Sequence, residues 1–121
     1  AIDLSQPPFD GNFEDLFQLC GTDGNMFLEN FEENYRFNFS WNPKHFSSVL
    51  MWVSNKGRVE YPWNSNHVTI GFEPISSAFG LSTHMSLNKE NPISKRNVVT
   101  SVKLYKDNPL VTDYSFSINT L

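Results

Sequence analysis

Apolar and polar side chains alternate most cleanly in Tyr35-Arg36-Phe37-Asn38-Phe39-Ser40-Trp41, where four rings fall on one side and three polar side chains on the other. A period of two belongs to an extended chain, so this stretch predicts a half-buried antiparallel strand. The same alternation recurs from Val68 to Glu73, with Val68, Ile70 and Phe72 on one face and Thr69, Gly71 and Glu73 on the other. Pro74 has no N–H and biases its predecessor toward an extended conformation, which predicts Glu73 as the last paired residue of its strand. Further strands are predicted at Met26-Phe27-Leu28, at Ser47 to Val53, at Val98 to Tyr105, and at Tyr114, Phe116 and Ile118. Asp23-Gly24, Asn42-Pro43 and Asp107-Asn108-Pro109 supply turns between them. Between Asn12 and Gly21, Phe13, Leu16, Phe17 and Cys20 fall at helical spacing behind a capping Asn12, which predicts a short helix with a strand as the alternative. The leading residues Ala1 to Asp10, with Pro7-Pro8, read as an extended segment.

Seven or so short strands separated by turns predict an all-β antiparallel β-sandwich, and 121 residues fit a single domain spanning 1–121. Aromatic residues make up 15 % of the chain against 18 % charged, a balance suited to strands that pack through rings. The net charge of −4 argues against nucleic acid or an anionic membrane as a partner. Cys20 stands alone, so no internal disulfide is expected, and a lone cysteine without a neighbouring base reads as a buried structural thiol. No apolar run reaches membrane-spanning length, and the start lacks the charged-then-apolar order of a signal peptide, which favours a cytoplasmic protein. Ala1-Ile2-Asp3 carries no initiator Met, which leaves upstream processing or truncation open. Asn38-Phe39-Ser40 has the form of a glycosylation acceptor, but a mid-strand position reads as coincidence.

Chemistry-bearing residues gather between Leu50 and Phe79. Sugars are held by flat aromatic faces against their C–H patches and by planar polar groups on their hydroxyls. This stretch supplies Trp52, Tyr61 and Trp63 for the first task and Asn55, Arg58, Asn64, His67 and Glu73 for the second. The competing reading makes Trp52 a core residue, Trp63 cover for a sheet edge and Arg58 the flank of a hairpin turn. The three histidines show no metal-ligand spacing, and Gly57, Gly71 and Gly80 form no phosphate loop, so neither metal nor cofactor is expected.

The words Trp52-Val53-Ser54-Asn55-Lys56-Gly57-Arg58, Pro62-Trp63-Asn64 and Val68-Thr69-Ile70-Gly71-Phe72-Glu73-Pro74 resemble the galactose mutarotase-like superfamily of aldose 1-epimerases and their relatives. The resemblance implies a two-layered β-sandwich that binds a monosaccharide or sugar derivative and interconverts its anomers by acid/base catalysis, with Glu73 in the place of the general base. The family's acid is a histidine on an earlier strand, and His45, His67 and His84 are not matched to it. On this likeness the chain corresponds to the C-terminal portion of a longer domain, whose open sheet edge implies a homo-oligomer or a missing N-terminal half. The alternative is a non-catalytic sugar-binding or structural β-sandwich module. His67 lies six residues before Glu73, roughly 20 Å away at strand rise, which is too far to share one anomeric centre.

Overall fold

The computed structural model describes residues 3–7 and 9–121. Its strands are β1 (Phe13–Cys20), β2 (Asn25–Asn30), β3 (Tyr35–Trp41), β4 (Ser48–Asn55), β5 (Val68–Ile75) and β6 (Tyr114–Thr120), with a short helix α1 (Thr83–Leu87) and one 3-10 turn (Ser94–Arg96). They form two three-stranded antiparallel sheets, ordered β1-β4-β5 and β2-β3-β6, so the chain is mostly β. The leading residues Ala1, Ile2 and Pro8, part of the expected extended segment, lie outside the described residues. Among the described residues no helix is long and apolar enough to cross a membrane. Two compact units divide the chain: the first takes in the N-terminal segment through Gln18 together with Leu50–Glu73, the second Leu19–Val49 and Pro74–Leu121.

In the first unit β4 is the central strand, and Leu50, Met51, Val53, Ser54 and Asn55 on it are all buried. Burial on both sides of the pleat explains why this strand reads as a near-continuous apolar run rather than an alternation. Asn55 is buried because its side-chain amide is spent on the backbone, donating to the carbonyls of Phe9 (2.7 Å) and Gly11. These bonds pin the segment that leads into β1.

Two expectations are corrected at the edges of this sheet. Residues 13–20 form a strand and not a helix: pairing beside β4 outweighs helical spacing, which is a weak local preference. β5 continues through Pro74 to Ile75 and does not stop at Glu73, because it is an edge strand, where a residue without an N–H removes no ladder bond.

In the second unit β3 is central and fully registered on both sides. Met26 and Leu28 of β2 sit opposite Phe39 and Phe37, while Tyr114, Phe116 and Ile118 of β6 sit opposite Trp41, Phe39 and Phe37. One face is therefore a bank of apolar side chains, with ring pairs at 5.3 Å (Phe39–Trp41) and 6.1 Å (Phe37–Phe116). The other face is polar: Ser40 and Ser115 hydroxyls meet at 2.7 Å, and Arg36 pairs with Glu29 while lying over Phe27. Tyr114, Phe116 and Ile118 remain 70 %, 65 % and 66 % exposed. Asn38 of the glycosylation-like triplet sits mid-strand, across from Ser117.

The expected strand at Val98 to Tyr105 is also corrected, because the segment has no strand character beyond an isolated bridge at Tyr105. Its alternation holds as burial only at the start, where Val98 and Thr100 are buried and Val99 is exposed, while Val102 and Leu104 on the same expected face are exposed. What buries Thr100 is a polar knot and not a neighbouring strand. Asn91, fully buried, accepts the backbone N–H groups of Ile93 and Ser94 on Oδ1 and turns its Nδ2 toward the carbonyls of Met85 and Asn88 and the hydroxyl of Thr100. Thr100 in turn donates to the carbonyl of Ser86 (2.6 Å). Cys20, expected to be buried, is exposed, because it falls at the end of the edge strand β1.

Candidate functional site

Residues 56–67 join β4 to β5 as a loop that holds itself together. Its base is closed by Lys56 N–H donating to the His67 carbonyl (2.9 Å), and its waist by Ser65 N–H donating to the Arg58 carbonyl (2.8 Å). The carbonyl of Glu60 accepts from the N–H groups of Trp63 and Asn64, and that of Trp63 accepts from Asn66. Asn64 and Ser65 adopt positive φ, a conformation that Asn tolerates better than most residues. Such internal bonding is what allows a loop to present side chains in fixed positions.

The side chains so presented are Arg58, Glu60, Tyr61 and Trp63, which with Glu14 and Gly57 line an open cleft of about 450 Å³. Gly57 brings the loop against β1: a Cβ there would lie 2.4 Å from the carbonyl carbon and oxygen of Phe13 and 2.6 Å from the nitrogen of Glu14. That close approach places the Glu14 carboxylate on Arg58, whose Nε donates at 2.8 and 3.0 Å and Nη2 at 2.9 Å. The guanidinium also lies 5.4 Å from the ring centre of Trp52 and 5.6 Å from that of Trp63. His67 touches the same two rings, at 6.2 and 5.1 Å, and its Nε2 meets the buried Ser54 hydroxyl at 2.9 Å. One cation and one imidazole thus join a pair of indoles into a single cluster.

The hydrogen bonds from Arg58 hold the Glu14 carboxyl below its ordinary value of 4.5, against an opposing desolvation. The charges of Arg58 and His67 and the indole N–H of Trp52 add to the lowering. Trp52 Nε1 nevertheless stops short of hydrogen-bond geometry, and it and His67 Nδ1 are buried without a partner among the described residues. Unpaired buried polar atoms are costly, so two in one cluster mark a place where hydrogen-bonding capacity is left unspent.

A group whose pKa is depressed on folding contributes stability that is complete above its unfolded value and lost as the pH falls through its folded value. The stability difference between the parent chain and Glu14→Gln should therefore be full near pH 6 and shrink steadily toward pH 3 in urea unfolding. A difference constant over that range would show that the Glu14–Arg58 pair contributes nothing.

Of the residues singled out in the sequence, Trp52, Arg58, Trp63 and His67 come together here. Asn64 is exposed in the loop, and Asn55 is turned to the backbone of residues 9 and 11. Glu73 is exposed on β5, six residues beyond His67 and hence roughly 20 Å along the strand. Glu14, Ser54 and Glu60 were not anticipated. Glu14 falls within the stretch whose spacing suggests a helix, and nothing local in the sequence marks its pairing with a residue 44 positions away. Among the described residues no three His, Cys, Asp or Glu side chains gather as a metal-ligand set. Comparison of the chain with family models, with curated proteins and with solved structures finds no match.

Proposed function

We propose that this chain is a carbohydrate-binding β protein that takes a monosaccharide or sugar derivative in the cleft of residues 56–67. The observation that carries the reading is the indole pair cross-braced by Arg58 and His67, because it combines aromatic faces with planar hydrogen-bonding groups beside an open cleft. Trp63, 42 % exposed, and Tyr61, 87 % exposed, offer ring surface for the apolar face of a pyranose. Arg58, Glu14 and Glu60 supply donors and acceptors for hydroxyls.

Ligand-observed proton NMR of an aldose panel tests this directly. Line broadening by the parent chain and at least about tenfold weaker binding by Trp63→Ala, with the fold intact, is the expected result for a lost stacking contact. Unchanged affinity in Trp63→Ala would remove the cleft from the reading.

A second reading, interconversion of sugar anomers, rests on the exposed Glu73 carboxylate and on the likeness of residues 68–74 to the mutarotase-like signature. Glu73 would take the proton of the anomeric hydroxyl while an acid protonates the ring oxygen. Distance separates Glu73 from His67, so this reading requires an acid other than His67. In the same NMR experiment, anomer exchange accelerated by the parent chain and lost in Glu73→Gln supports catalysis; broadening without faster exchange supports binding alone.

A further inference from the structure

We infer that the cleft of residues 56–67 selects its sugar by charge, taking neutral and amino sugars and turning away sugar phosphates and uronates. The inference rests on the sugar-binding reading above and adds the ligand class. An arginine in a sugar cleft ordinarily suggests an anionic substituent, because its planar fork matches phosphate and carboxylate. Here the Nε–Nη2 edge of that fork is already taken. Arg58 Nε and Nη2 both donate to the Glu14 carboxylate at 2.8–3.0 Å, and the two rings of Trp52 and Trp63 hold its plane.

A phosphate could reach those donors only by displacing Glu14, and on doing so would leave that carboxylate uncompensated. It would also meet Glu60, which lines the same cleft, is exposed, and lies close enough to Arg58 to interact with its charge. The cleft thus sets two carboxylates against one guanidinium. Lys56, the lysine of the loop, is exposed and does not line it, and neither does His67. A protonated amino group finds acceptors in Glu60 and Glu14, and a neutral sugar uses its hydroxyls and C–H faces without a charge penalty.

Dissociation constants are to be measured by NMR titration at pH 6.5 for glucose, glucosamine and glucose 6-phosphate, and for the three galactose counterparts, with the parent chain and with Glu60→Gln. The expected order is amino sugar at least as tight as the neutral sugar, and the phosphate weaker by about tenfold or more, the scale of one or two like-charge encounters at a wet surface. Glu60→Gln should narrow the gap from both ends, and 0.5 M NaCl should narrow it as well. A phosphate that binds as well as its parent sugar, or an amino sugar that binds more weakly, overturns charge selection while the sugar-binding reading stands. No binding by any of the six overturns both.

Discussion

Gly57→Ala is expected to lower stability by about 3 kcal/mol or more and to abolish sugar binding at concentrations that saturate the parent chain. The new methyl group would sit 2.4 Å from the Phe13 carbonyl and 2.6 Å from the Glu14 nitrogen, both backbone atoms that cannot rotate away. The chain must then separate at the contact that places Glu14 on Arg58, so fold and cleft fail together. Gly57 is not among the residues with positive φ, which makes the prohibition one of space and not of backbone conformation. Gly71→Ala is the matched control. Its Cβ would rest 3.4 Å from Trp52 Cε3, an ordinary contact with a side chain, and should cost less than about 1 kcal/mol. Thermal unfolding of the pair decides the matter, since a few kcal/mol corresponds to a shift of about 10 °C or more in a chain of this size. Equal Tm values for the two variants would show that the β1 contact at Gly57 is not a constraint.

Asn91→Ala is expected to cost about 3 kcal/mol, the largest effect of any single polar side chain in the second unit. The Oδ1 of this residue is identified by its two backbone N–H donors, Ile93 at 2.9 Å and Ser94 at 2.8 Å, since an amide nitrogen could not accept them. The substitution strands those two donors around a side chain with no surface exposure, while the carbonyls of Met85 and Asn88 lose one donor each and keep the backbone N–H groups of Asn88 and Asn91. The effect should be local as well as energetic. Amide hydrogen exchange at Ile93 and Ser94 should accelerate by orders of magnitude, while exchange within β3 changes far less. Thr100→Val, which removes a single hydroxyl from the same knot, should cost about 1 kcal/mol. An Asn91→Ala variant within about 1 kcal/mol of the parent, with unchanged exchange at Ile93 and Ser94, would reduce the knot to a passive loop.

Much of the architecture is legible in the chain itself. Tyr35–Trp41 is a strand with the bounds its alternation predicts, and β2, β4, β5 and β6 each fall on the segment where a strand is expected, with ends shifted by up to two residues. A period of two needs only the pleat and one apolar side, and both are properties of the local chain. The same local rule misreads Val98 to Tyr105, because alternation is silent on whether a neighbouring strand exists to pair with, and without one even Val102 and Leu104 stay exposed. It misreads residues 13–20 for the opposite reason: spacing fits a helix, and only the presence of β4 alongside decides for a strand.

The candidate site divides along the same line. Trp52, Arg58, Trp63 and His67 are legible because they lie within one short stretch whose residue types suit a sugar. The place of Glu14 is not, and neither is the role of Gly57, since both depend on β1 returning to the β4–β5 loop. The sequence by itself determined the β class, most strand positions and the stock of aromatic and planar polar groups. Tertiary structure alone decided that Arg58 is neutralised by Glu14, and with it the charge the cleft presents. Pairing between residues 44 positions apart leaves no periodic trace in the chain, because it is set by which backbones can approach closely enough to meet.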